Sequence, residues 1–442
     1  MRHHLPSLST LSALSLFWAT SALADSPGIS PQEKAAVIMS LSATLKANYV
    51  FPDIARKIEP ALQDHLARGD YDAATTKDQL ARKLTDDIVK ISGDLHFFVG
   101  VDPKWVADFR DQADPARKAS TRTDELERQA KKNFGFDDVR RLEGNIGYLR
   151  LSYFSDPELA YETAAAAMRF IGNSDAVIID LRYNNGGVLE MAQFIASYFF
   201  SSEKDKLLFD YYYNDDGKRV ERGQWVLPGL PGKRMVDKPV YILTGSTSFS
   251  SAEWFSYTMK KLGRATLIGE RTAGGAHPVT RKPVNADFFL QVPIGQIRDP
   301  VEHGDFEGTG VQPDVPSPSL NALPLAHKLA VERLSNNDAA RKAEFDWLLP
   351  ELMARIQRPN ISTDLLKRVA GTYEGRKIVL ENGTLYYIWR ERLRVALEPI
   401  APNLFAVEGV SDFRYRLNGQ RGKMSLERVN RDGSIQSYKR LD

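Results

Sequence analysis

The 442 residues carry 59 lysines and arginines against 57 aspartates and glutamates, a formal net charge of +2, and no cysteine. So even a balance, with no basic cluster interleaved with aromatic residues, excludes an electrostatic footprint for nucleic acid. The missing thiols exclude disulfides, thiol catalysis and thiolate metal sites, and the length is enough for two or three domains.

In chain order, Met1-Arg-His-His precedes an apolar stretch from Leu11 to Ala19 and a small-x-small triplet, Ala22-Leu-Ala24, before Asp25. This is the pattern of a secretory signal peptide (residues 1–24) cleaved after Ala24. The stretch is too short for a membrane span, which takes roughly 20 residues, and no later segment reaches that length. The mature protein is therefore expected outside the cytoplasm, periplasmic or secreted, where the lack of cysteine suits an oxidising compartment.

Residues 25–90 have helical apolar spacing, with Pro31 near a helix start and Ala35, Ile38, Met39, Leu41 and Leu45 as a stripe, and predict an N-terminal helical subdomain. Asp94-Leu-His-Phe-Phe-Val99 then reads as an apolar strand that contains His96. The charged stretch from about Asp102 to Glu143 reads as solvated helix plus loop. Ile146 to Leu151 is a strand, and Asp156-Pro157 supplies an N-cap and a first-turn proline for a helix through Ile171.

Ala176-Val-Ile-Ile-Asp-Leu-Arg-Tyr-Asn-Asn-Gly-Gly187 is a buried strand running into a glycine turn, with a helix from about Val188 to Phe200 after it. Pro239 to Thr244 is another strand. It is followed by a helix from about Ser251 to Leu262, whose apolar face is Trp254, Phe255, Tyr257, Met259 and Leu262. Ser250 sits at that junction, where backbone N–H groups and the positive end of the helix dipole are available to hold an oxyanion. A serine N-cap is the ordinary reading of such a position.

The alternation of strands and helices over residues 91–335 calls for an α/β layer fold. A helical connector is expected over 336–360. Over 361–442 the pattern changes to short strands with hairpin signals at Asn382-Gly383, Asn418-Gly419 and Asp432-Gly433, a small C-terminal β accessory domain without histidine and without an assigned catalytic part.

The ordered set of Asp180-Leu-Arg-Tyr-Asn-Asn-Gly-Gly187, Ser250-Ser-Ala-Glu253, Gly269-Glu-Arg-Thr-Ala-Gly274 and Glu307-Gly-Thr-Gly-Val311 resembles the C-terminal-processing and tricorn-type serine peptidase family, including tail-specific proteases. The resemblance covers about Gly93 to Asp314 and implies a crotonase-like or ClpP-like α/β catalytic core. It places the nucleophile three residues before the helix glutamate, at Ser250. In the Ser-Lys branch of the family the lysine would stand at position 275, which here is Gly275, and Lys260 and Lys261 lie on the solvated face of the next helix. The dyad is absent.

The chain is more similar to the branch of tricorn and the interphotoreceptor retinoid-binding protein repeats, in which a histidine held by a glutamate is the base. The resemblance assigns these roles to His96 and Glu307. Imidazole titrates in the right range to activate a serine hydroxyl near neutral pH. That branch has a serine just before the histidine where this chain has Leu95. Two ways of supplying the lost contact stay open: Asp94 orienting the ring, or Glu307 reaching it directly or through water. His277, just after the Gly274-Gly275 turn, and His303, four residues before Glu307, are the competing bases, both read as exposed loop residues; Asp180 and Arg182 are read as structural. The oxyanion hole is expected from the N–H of Ser251 with that of Gly186 or Gly187.

No PDZ module fits between His96 and the strand at Ile146. The resulting expectation is a secreted serine endopeptidase acting on a peptide or protein, with no metal and no cofactor. The sequence has no His-Glu-x-x-His and no glycine-rich phosphate loop followed by lysine. A noncatalytic hydrophobic-ligand-binding protein on the same fold and a small-substrate esterase or amidase are the alternatives. Oligomeric state is left open.

Overall fold

The computed structural model describes residues 28–111, 115–202, 206–215, 218–389, 393–419 and 424–442. The signal peptide read at residues 1–24 lies outside them. Three helices come first: α1 (Pro31–Asn48), α2 (Pro52–Ala67) and α3 (Lys77–Ser92). Capping boxes start two of them, Ser30 with Glu33 and Thr76 with Gln79, and satisfy N–H groups that a helix leaves unpaired. Gly93, at φ 75°, ends α3 in a left-handed cap and turns the chain toward β1 (Phe98–Val101).

α4 (Pro103–Arg110) and α5 (Pro115–Ala130) follow, and then the chain enters a six-stranded sheet. Its strands are β2 (Phe136–Leu142), β3 (Ile146–Leu151), β4 (Ala176–Asp180), β7 (Val240–Thr244), β8 (Thr266–Gly269) and β12 (Val315–Pro316), in the order β12-β8-β7-β4-β3-β2. All neighbours are parallel except β2 against β3. β2 departs from the helix-plus-loop reading of residues 102–143. Its Phe-Asp-Asp-Val-Arg-Arg-Leu is charged because an edge strand shows one side to water, so it lacks the apolar run of a buried strand.

The parallel strands are covered on both faces. Leu149, Val177, Ile179, Val240, Ile242 and Leu267 face α6 (Pro157–Ile171), α7 (Leu189–Ser197) and α8 (Ser251–Lys261). The alternate residues Ile146, Tyr148, Ile178, Tyr241, Leu243 and Ile268 pack on Ala322, Ala326 and Ala330 of α9 (Ser319–Asn337). This double burial explains the unbroken apolar runs that made these strands readable. The expected N-cap of α6 is present: Asp156 accepts from the Glu158 amide at 2.9 Å, with Pro157 in the first turn.

Two smaller sheets flank this layer. β5 (Leu207–Asp215) and β6 (Lys218–Trp225) form a hairpin joined by β11 (Gly295–Arg298). β1 pairs with β10 (Phe288–Pro293), which pairs with β9 (Val279–Pro283). Phe97, Val99, Phe288, Leu290 and Val292 lock this second sheet to α1, α2 and α3 in one apolar core. The N-terminal helices thereby fix the segment Asp94 to His96. That segment forms the turn ahead of β1, so His96 lies just outside the strand in which the sequence pattern had put it.

After α9 come α10 (Lys342–Ile356) and α11 (Thr363–Val369), so the helix preceding the expected connector already belongs to the sheet layer. Eight strands from β13 (Gly371–Tyr373) to β20 (Ile435–Lys439) then form an antiparallel meander around a core of Tyr373, Leu385, Phe405, Tyr415 and Leu426. Glu374 N to Lys439 O at 3.1 Å and Leu441 N to Thr372 O at 2.8 Å join its first strand to its last. The sheet closes into a barrel, which removes both edges. Asn382 and Gly383, at φ 49° and 81°, make the two-residue turn that an Asn-Gly pair favours.

Candidate active site

The chain leaves β7 through a short loop pinned to the end of β4. Ser248 Oγ donates to Leu181 O at 2.7 Å and the Phe249 amide to Asn184 O at 3.0 Å. Ser250 follows with φ 56° and ψ −122°, whereas an ordinary N-cap such as Ser30 has φ −77°. A non-glycine residue in that region costs about 1–3 kcal/mol, and such strain collects at functional turns. This sharp strand-to-helix turn has the backbone shape of a nucleophile elbow. Gly186 of the glycine turn after β4 presses on it: a Cβ there would lie 2.7 Å from Ser250 Cβ and 3.1 Å from Ser251 N.

Glu253 holds the turn from below. Its Oε2 accepts from the amides of Ser250 (3.0 Å) and Gly275 (2.7 Å), and its Oε1 from Thr272 Oγ1 (2.5 Å) and the Gly274 amide (2.6 Å). The side chain is fully buried. Burial pushes its pKa up to about 7 against the opposing pull of these four donors.

His96 is 3 % exposed, and its ring packs on that of Phe249 at 4.5 Å between centroids, one residue before Ser250. Neither ring nitrogen has a hydrogen-bond partner. Gly275 makes room for the two rings, since a Cβ there would sit 2.2 Å from Phe249 and 2.6 Å from His96 Cε1. Burial, with a contribution from the neighbouring His277, lowers the His96 pKa to about 4 although Asp94 opposes it. The imidazole is therefore neutral at pH 7, the form in which it can take a proton.

Behind His96 lies a second cluster. Asp94 Oδ1 accepts the His96 backbone N–H at 3.0 Å, and Asp94 Oδ2 meets His277 Nδ1 at 2.6 Å. Glu307 Oε2 accepts the Ala276 amide at 2.6 Å and lies 3.4 Å from the same His277 nitrogen, while Oε1 is buried without a partner. Tyr49 reaches Asp94 Oδ2 at 3.5 Å. Burial, reinforced by the charge of Asp94, pushes the Glu307 pKa up to about 7, with His277 and the amides of Ala276 and Leu95 acting the other way. Burial would lower the pKa of His277, but Asp94, with Glu307 and Asp305 behind it, raises it above the ordinary value.

Ser250, Ser251, Gly186, Gly187 and His96 thus gather around one turn, and Glu307 stands in the adjoining cluster. The direct hydrogen bond from Glu307 to the His96 ring is not formed. The Gly186 amide is committed to Asn184 Oδ1 at 2.8 Å, so of the two glycines it is the poorer oxyanion donor. His277 is 5 % exposed and paired, which corrects its reading as an exposed loop residue; His303 is exposed as expected. For His277 the sequence signal was its place after the Gly274-Gly275 turn, whereas its burial comes from carboxylates 183 and 30 residues away. Asp180 and Arg182 pair with each other through two contacts of 2.6 and 2.9 Å, and Asp180 also accepts from Tyr148. Lys260 bonds Gln312 O and Asp314. Asp94, His277 and Glu307 offer three ligand atoms within 4.8 Å, but the bonds just described already engage Asp94 Oδ2 and Glu307 Oε2.

Three outcomes follow. Ser250→Gly should raise the stability by about 1 kcal/mol, read from denaturant midpoints, because glycine accepts φ 56° without strain. Gly275→Ala should push the His96 and Phe249 rings apart and lower any Ser250-dependent turnover at least tenfold, with a folded near-UV spectrum retained. The third concerns acid. An unfolded chain protonates His96 near pH 6.5 and the folded one at about 4, so this residue supplies stability above pH 6.5 that is lost as the pH falls through that window. His96→Gln should therefore lose less stability than the wild type between pH 7 and pH 4, by about 2–3 kcal/mol in urea titrations; equal losses would mean an imidazole open to water.

The family model described as peptidase family S41 matches residues 145–317, and that described as the N-terminal domain of Peptidase_S41 in eukaryotic IRBP matches residues 28–134. Among curated proteins, a carboxyl-terminal-processing protease of Synechocystis is 27% identical over 40% of this chain and 39% of its own. A carboxy-terminal-processing protease of Bartonella bacilliformis is likewise 27% identical, over 40% of this chain and 39% of its own. The chain thus spans well under half the length of these relatives. Among solved structures, a putative peptidase from Parabacteroides merdae aligns at 18% identity over 68% of this chain and 93% of its own, with a TM-score of 0.44. The N-terminal match takes in the turn that holds His96 and the other takes in the loop that holds Ser250, so the chain carries a peptidase family S41 domain with the family's N-terminal domain ahead of it.

Proposed function

We propose that this protein is a serine endopeptidase that works through an acyl-enzyme, with Ser250 as nucleophile, His96 as base and then acid, and Glu307 as the carboxylate that supports His96. The observation that carries this reading is the pairing of a strained Ser250 with a buried, neutral His96 whose nitrogens are both unpartnered, packed on the residue before it. A buried imidazole left without hydrogen bonds costs stability. A site that receives a substrate and a serine proton accounts for that cost.

In the first half-reaction Ser250 Oγ attacks the scissile carbonyl carbon while its proton passes to His96. The negative oxygen that forms is met by the amide of Ser251, at the N-terminus of α8, and that of Gly187, in the turn ahead of α7, backbone donors of a kind worth about 100- to 1000-fold in rate. Collapse breaks the C–N bond, and the leaving amine takes the proton from His96. In the second half, water gives a proton to His96 and its oxygen attacks the ester. Collapse then releases a carboxylic acid and returns the proton to Ser250. Glu307 offers Oε1, buried and unpartnered, to the imidazolium that forms twice in the cycle.

The relatives named carboxyl-terminal-processing proteases support a peptide or protein substrate with a free carboxyl terminus. The leader pattern ending at Ala24 supports action outside the cytoplasm, in a periplasm or the medium. Among the described residues no helix is long and apolar enough to cross a membrane.

The test is intact mass after fluorophosphonate treatment of the purified mature chain beside Ser250→Ala and His96→Ala. A single adduct on the wild type, none on Ser250→Ala and a labelling rate at least 100-fold lower on His96→Ala are expected. An unlabelled, folded wild type, or labelling of His96→Ala at the wild-type rate, would overturn the assignment.

A further inference from the structure

Two carboxylates buried side by side repel each other, and one of them ordinarily takes up a proton. Asp94 and Glu307 are in that position, and a single group stands between them: His277 Nδ1, 2.6 Å from Asp94 Oδ2 and 3.4 Å from Glu307 Oε2. All three side chains are largely shielded from water, and His277 Nδ1 is the one ring atom that lies within reach of both acids. Each acid is in turn tied to the segment that carries His96. Asp94 Oδ1 holds the His96 backbone amide at 3.0 Å, and the Leu95 amide acts on Glu307. The His277 ring is itself braced by Phe51, at 5.1 Å between centroids.

Resting on the serine peptidase reading above, we propose that His277 is a positioning residue of the catalytic relay: it binds Asp94 and Glu307 into one unit, so that Glu307 is held by Oε2 and keeps Oε1 for His96. Glu307 is fixed on one side by the Ala276 amide at 2.6 Å and His277, which come from the loop after Gly275. The same loop, through Gly274 and Gly275, is bound to Glu253 beneath Ser250. His277 therefore ties the histidine side of the site to the serine side through one short run of chain. Its own atoms neither gain nor lose a bond in the reaction.

The test compares wild type, His277→Ala, His277→Asn, Glu307→Ala and the double variant His277→Ala/Glu307→Ala, reading kcat and KM on a peptide and the rate of fluorophosphonate labelling. His277→Ala should lower kcat and labelling together on the order of 10- to 100-fold with KM within about threefold, a smaller loss than removing a residue that touches the base directly. The double variant should lose little beyond Glu307→Ala alone, because both changes break one unit. His277→Asn keeps a donor for Asp94 without the charge, so it should fold as the wild type does and still lose at least fivefold in kcat; it carries the test if His277→Ala does not fold. Wild-type kcat in His277→Asn, or losses that multiply in the double variant, would overturn the inference while leaving the peptidase reading intact. A wild type that does not label removes both.

Discussion

One carboxylate organises this site. Glu253 receives four donors, the backbone amides of Ser250, Gly274 and Gly275 and the hydroxyl of Thr272, and by doing so it joins the start of α8 to the loop after β8. Every other placement depends on that junction. The turn at Ser250 keeps its strained backbone because its amide ends on Glu253, and Gly275 stays against the rings of His96 and Phe249 because its amide ends there too. A carboxylate so deep in the protein is costly to bury, and the donors offset that cost only when all of them are aligned. The position is thus intolerant in a way that its surface equivalent, Glu33 in the capping box of α1, is not.

Two layers of the fold meet at this point. The α/β layer supplies the turn at Ser250 and the glycine turn. The helices α1 to α3, through their core with β1 and β10, supply Tyr49, Asp94 and His96. The candidate base and nucleophile are therefore carried by different cores, more than 150 residues apart in sequence. Their mutual distance depends on the packing of those cores, and a modest shift between them would change whether His96 reaches Ser250 Oγ. The unpartnered nitrogens of His96 describe one position in that range.

Much of this was legible in the sequence where a physical rule is local. Ser250 with Glu253 three residues on, the all-apolar β4 and β7, Asp156-Pro157 and Asn382-Gly383 each follow from helix capping, double burial or turn chemistry. What was not legible is set by partners distant in the chain. β2 is charged and earns strand status only from pairing with β3. His277 looks like a loop residue until Asp94 and Glu307 are brought to it. The turn at His96 was read as strand because its flanking Leu95, Phe97 and Phe98 are apolar, yet Gly93 ends α3 so abruptly that the chain is still turning there.

The space in front of Gly275 has a steric consequence for the residue at that position. It is filled by the rings of His96 and Phe249, so it cannot also hold the side chain of a lysine at position 275, where the Ser-Lys branch would carry its base. Imidazole and amine are alternative tenants of one volume. A side chain at position 275 and the packed pair of His96 and Phe249 are thus mutually exclusive unless the rings move.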